Sequence, residues 1–186
     1  MIHRNVTWRA VAAAAALCAS LGCSGGAARP AAPRPPTADE VRAAAAGYLA
    51  ATRSEVASLM VEDGHVGLYV RGVPAWSLDT YVTQLPLAVE TARAILLRWP
   101  ALGDVDVCGD APWLPHAAGV TFVPGSRVQL FRDRLTDLPA RVTTPGQVLR
   151  EGLRVTGPNG AHPVEYFLDA RIRTGSAAYK EAYAGG

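Results

Sequence analysis

Residues 55–71 read EVASLMVEDGHVGLYVR. Asp63-Gly64 lies between two runs in which apolar and polar residues alternate. Such a dipeptide suits a two-residue type I′ turn, because both central positions need positive φ. The turn sets Glu62 opposite His65, Val61 opposite Val66, Leu59 opposite Leu68 and Ala57 opposite Val70. The last three pairs are apolar and share one face. Glu62, Met60 and Ser58 share the other with His65, Gly67 and Tyr69. Register and hydrophobic pattern agree, as a hairpin with one buried face requires.

Working outward, Thr37-Ala38-Asp39-Glu40 has the form of a capping box, with a hydroxyl at the N-cap and Glu at N3. It predicts a helix to about Thr52, with Val41, Ala45, Tyr48 and Leu49 on one face. After a loop at 72–77, residues 78–99 carry a helical stripe of Leu85, Ala88, Val89, Ala92, Ile95, Leu96 and Trp99. Pro86 either sits in the first turn of this helix or kinks it. Pro100 and Gly103 end it, and a strand follows at 105–108.

Farther on, 119–123 and 127–132 read as two strands around Pro124-Gly125-Ser126. Thr144-Pro145-Gly146-Gln147 is a second capping box with Pro at N1, opening a short helix to Glu151. A strand is expected at 153–156, a turn at 157–160, and a half-buried strand from Val164 to Arg173, where apolar and charged residues alternate. A short helix is expected at 176–183. Mixed strands and helices with hairpin turns predict a single α+β domain. The expected architecture is a mainly antiparallel sheet with helices packed on one face.

Three cysteines are present. The tempting chemistry surrounds one of them, in Asp104-Val105-Asp106-Val107-Cys108-Gly109-Asp110, followed by Trp113 and His116. A calcium loop counted from Asp104 would place Cys108 and Pro115 where oxygen ligands belong, so it does not fit. Zinc would need closely spaced ligands, but His65, His116 and His162 lie far apart, so no metal or cofactor is expected. Alternation puts Asp104, Asp106 and Cys108 on one strand face. This keeps open an extracytoplasmic, hydrolase-like enzyme using Cys108 or the Asp104, Asp106 and Asp110 carboxylates. Residues 37–186 contain no G-x-S-x-G, phosphate loop or G-x-G-x-x-G. The alternative to catalysis is a binding surface on the loops 109–118 and 73–77, with Trp76, Asp110, Trp113 and His116 as its candidate residues.

The N-terminus carries Arg4 and Arg9 without an acid, then thirteen uncharged residues from Ala10 to Gly22. That is signal-peptide length, short of the roughly 20 residues that span a bilayer. It ends Ser20-Leu21-Gly22-Cys23, then Ser24-Gly25-Gly26. The stretch resembles the lipobox of bacterial lipoproteins, with Ser20 in the usual Leu place. The resemblance covers residues 1–23 and implies cleavage before Cys23 and diacylglycerol on its sulfur. Residues 1–22 are then the signal and 23–36 a lipidated Cys with a Gly- and Pro-rich tether, reaching on the order of 40 Å. Residues 37–186 are the extracytoplasmic domain.

Removal of the signal leaves 16 of the 18 basic residues against 16 acids, a net charge of zero, which gives no ground for nucleic-acid binding. Cys18 leaves with the signal and Cys23 carries lipid, so Cys108 has no partner for an intramolecular disulfide. The expected product is a lipid-anchored protein of the cell envelope. Its partners would be the membrane, through acylated Cys23, and an envelope protein, peptide or glycan bound or scaffolded by the domain.

Overall fold

The computed structural model describes residues 33–115, 118–151 and 163–184. Cys23, His116 and the strand and turn expected at 153–160 lie outside them. The fold is α+β, built on one five-stranded sheet of order β1-β2-β3-β4-β5. Three of its four pairings are antiparallel; β2 and β3 run parallel.

Helix α1, Ala38–Thr52, begins at the expected capping box. Thr37 Oγ1 accepts from Glu40 N, and Glu40 Oε2 accepts from Thr37 N at 2.9 Å. Val41, Ala45 and Tyr48 face inward, joined by Thr52. Strands β1, Ser54–Glu62, and β2, His65–Gly72, form the expected hairpin, with Asp63 at φ 47° and Gly64 at φ 80°. Gly64 O accepts from Gly103 N at 2.6 Å, tying the turn to the entry of the next strand. Replacing Gly64 by Ala puts a Cβ on a left-handed backbone and is expected to cost about 1 kcal/mol in urea unfolding. An unchanged midpoint would mean that this turn is not held as described.

The hairpin register is as expected from Glu62 to Ser58 and then changes. Val56, not Ala57, lies opposite Val70, and Ala57 is the extra residue of a β-bulge. The bulge turns exposed Ala57 outward and packs the larger Val56 against the core. The helix expected at 78–99 is two helices, α2, Leu78–Thr83, and α3, Leu85–Arg98, sharing Gln84 as cap. Pro86 stands in the first turn of α3, where its missing N–H costs nothing. The two helices carry the chain from the end of β2 back to the start of β3, Asp104–Asp110. Two parallel neighbours need a crossover of this kind.

Residues 119–123 are not a strand; β4 runs from Pro124 to Phe131. Val123 is instead held by its backbone, its N–H donating to Asp110 Oδ1 and its carbonyl accepting from Ala111 N. A short 3-10 helix, Arg132–Asp137, follows, then α4, Pro145–Glu151, capped by Thr144 and Gln147 as expected. Strand β5 covers only Val164–Leu168, because Asp169 Oδ1 accepts from Arg171 N and opens helix α5, Ala170–Gly175. Buried Ile172 is therefore a helical residue and not part of a longer strand. Helix α6, Ala177–Ala184, is linked to α2 through Asp79, which accepts from Ser176 Oγ and Ala178 N.

The core joins Val66, Leu68 and Val70 of β2, Val105 and Val107 of β3, and Val128 and Leu130 of β4 to residues of α1 and α3. Helix α1 contacts β1 and α3, while α3 contacts β3 and β4. Trp99 is buried at the end of the α3 stripe, as its spacing suggests.

Candidate binding surface

Alternation along β3 sends Val105 and Val107 into the core, so Asp104, Asp106 and Cys108 project from the opposite face. The parallel register with β2 sets His65 beside Asp104, Gly67 beside Asp106 and Tyr69 beside Cys108. The antiparallel register with β4 sets Gln129 beside Asp106 and Arg127 beside Cys108. Residues from three strands thus meet on one polar patch.

The patch is wired side chain to side chain. His65 Nδ1 and Asp104 Oδ1 are 2.6 Å apart, and Gln129 Nε2 donates to Asp104 Oδ2 at 3.0 Å. A carboxylate partner holds the imidazole proton on Nδ1. Arg127 grips Asp106 with two donors, Nε to Oδ2 at 3.0 Å and Nη2 to Oδ1 at 3.3 Å. Arg127 Nη2 also donates to Gln129 Oε1. Asp106 is buried, and loss of water raises its pKa; Arg127 opposes that rise. The backbone places Glu62 opposite His65 as expected, but the His65 ring takes Asp104 as its partner.

Tyr69 leans back over Gly67, where an added Cβ would stand 2.8 Å from its ring. Its other neighbour is Phe122, edge-on at 5.1 Å between centroids. The ring is half-buried. Gly67 is thus a residue whose lack of a side chain gives Tyr69 its place.

Cys108 lies on the polar side of β3 and yet is only 3% exposed. Burial pushes its thiol up to about 12, and nearby Asp106 adds to the rise. An activated nucleophile needs the opposite shift and an open approach. The environment of Cys108 is thus unlike that of an activated nucleophile. Nor do the three aspartates form one cluster. Asp104 and Asp106 sit in the polar patch, whereas Asp110 lies past a register shift and is fully buried at the side chain. Asp110 accepts from Arg71 Nε at 2.7 Å and from Val123 N at 3.1 Å, and its carbonyl accepts from Tyr81 Oη at 2.5 Å. It pins the segment after β3 to β2 and α2, so it is a structural clamp and not a contact residue. Among the described residues, no group of three or more His, Cys, Asp or Glu is placed to hold a metal ion.

The two loops expected to form a surface do meet, at the ends of β2 and β3, but their tryptophans turn inward. Trp76 is 7% exposed and its Nε1 donates to Thr52 O at 2.8 Å. Its indole fills the space above Gly72 and Gly109 on adjacent strands; a Cβ on Gly109 would stand 2.6 Å from Cζ3. Trp113 is half-buried. Both pack edge-on against Tyr81, at 5.3 Å for Trp76 and 6.1 Å for Trp113. The candidate pair thus packs on Tyr81, with Trp76 buried and Trp113 half-buried against the core. Two glycines on neighbouring strands admit an indole that local sequence alone places in a surface loop.

Tyr69, Arg127 and Gln129 were not among the candidates read from the sequence. Their signal was present: alternation in Arg127-Val128-Gln129-Leu130 puts Arg127 and Gln129 opposite two apolar residues. Strand order supplied the rest. Comparison of the chain with known protein families, curated proteins and solved structures finds no match.

Proposed function

We propose that the chain is a lipid-anchored cell-envelope protein, held on the extracytoplasmic side of a bacterial membrane through acylated Cys23. Its domain, residues 37–186, serves as a binding or scaffolding module for an envelope protein, peptide or glycan. The anchor rests on Ser20-Leu21-Gly22-Cys23 and the Gly- and Pro-rich tether behind it. The binding half rests on one observation, the wired patch of His65, Asp104, Asp106, Arg127 and Gln129. These side chains hold one another in fixed positions, so a partner meets groups whose ordering cost is already met. The helices are read as covering the Val66, Leu68 and Val70 side of the sheet, which leaves the His65 and Tyr69 side for the partner. Each carboxylate of the patch is committed to a neighbour, which favours recognition over proton transfer.

The anchor is tested by phase partitioning in a nonionic detergent. The wild-type chain is expected in the detergent phase and the Cys23→Ser variant in the aqueous phase. Mass spectrometry should find acyl chains on the Cys23 peptide. A bare thiol there, or equal partitioning of the two proteins, removes the envelope reading.

A further inference from the structure

Resting on the binding reading, we propose that the polar sheet face takes a neutral glycan, laid across the strands along the row Tyr69, Cys108, Arg127 and Phe167. The two sheet registers set these four residues side by side on β2, β3, β4 and β5. At about 4.8 Å per strand, Tyr69 and Phe167 bracket a track of roughly 14 Å, the length of a short oligosaccharide. Phe167 is an aromatic ring 46% exposed at one end of it. Tyr69 lies half-exposed at the other, braced by Phe122. Small Cys108 lowers the floor between Tyr69 and the guanidinium of Arg127.

Charge decides between ligand classes. Asp106 is met by Arg127 and Asp104 by His65 and Gln129, so an ionic ligand would compete with pairs already made. What remains unused is hydrogen-bonding capacity. Arg127 spends Nε and Nη2 on Asp106 and Gln129. Among the described residues, Arg127 Nη1, His65 Nε2 and the Tyr69 hydroxyl have no hydrogen-bond partner. Fixed donors and acceptors beside flat rings suit a polyol, which offers hydroxyls at its rim and C–H groups on its ring faces. An extended peptide gains its affinity from main-chain bonds to a free strand edge. Here the contact is with a sheet face, whose backbone groups are already spent in ladders on both sides of β2, β3 and β4.

The test uses the full acylated chain in detergent micelles on an array of neutral and anionic oligosaccharides, followed by calorimetry with the best neutral binder. Binding is expected for a neutral oligosaccharide. Phe167→Ala should weaken it about tenfold, as loss of one aromatic contact implies. Tyr69→Ala should do likewise, and Leu97→Ala, which alters an exposed residue of α3, should leave it unchanged. Phe167 is exposed, so its loss leaves folding intact, and matching circular dichroism spectra check this. Binding only to anionic sugars, or neutral binding indifferent to Phe167→Ala, overturns the proposal. A photo-crosslinking residue at position 167 in cells separates the two levels. A protein adduct without sugar binding overturns the glycan and keeps the binding face; no adduct and no sugar binding overturns both.

Discussion

Replacing Trp76 by Ala is expected to lower stability by about 3–5 kcal/mol, the range for removing a large aromatic side chain from a packed core. Three contacts are lost together. The indole leaves the slot above Gly72 and Gly109, it leaves the edge of Tyr81, and Thr52 O loses its donor. The neighbours cannot collapse into the gap, because the slot floor is strand backbone held in the β1–β2 and β2–β3 ladders. Trp76→Phe keeps a ring in the slot and drops the Nε1–H bond, so its cost should be smaller. Urea unfolding measures both, with the slope against denaturant expected to stay constant. A surface tryptophan would give a change within about 0.5 kcal/mol. That result would return Trp76 to the candidate surface, whereas the larger loss leaves the polar sheet face as the place to look for a ligand.

Local chemistry explains which elements the sequence makes plain. The hairpin announces itself because Asp63-Gly64 satisfies a backbone demand few dipeptides meet, and because the paired residues repeat with the right period. The capping residues Thr37 and Thr144 act within one turn, so they too are readable. The bulge is not, since Val56 and Ala57 are both apolar and alternation cannot say which is the extra residue. At Asp169 two signals compete: Val164 to Ile172 alternates as a strand would, but one carboxylate capping Arg171 N ends the strand. The Asp106–Arg127 bond and the Trp76 slot depend on strand order, which no window of a few residues contains. The candidate site was thus half legible. Alternation gave the face of Asp104, Asp106 and Cys108, but only the fold showed that Asp110 and Trp76 belong to the interior.

Cys108 is expected to react with iodoacetamide about a thousandfold more slowly in the native protein than in the urea-unfolded chain at pH 8. The thiolate is the reacting species. Moving the thiol from 9.0 to about 12 cuts its thiolate fraction by roughly three powers of ten at that pH, before restricted access slows it further. The same shift has a thermodynamic counterpart. A raised native pKa gives stability that is fully present below pH 9 and is lost as pH climbs toward 12, because the unfolded chain sheds the proton first. The loss should be about 1.4 kcal/mol per pH unit in that window. Tyr81, raised to about 12 by burial, adds a second loss of the same sign above pH 10. Cys108→Ala should flatten the fall while leaving that of Tyr81. Equal labelling rates in native and unfolded protein would instead place an accessible thiol of ordinary acidity on the polar face. Thiol chemistry would then compete with the proposed recognition as a reading of that face, because a Cys108 thiolate would sit beside Arg127, whose charge favours it.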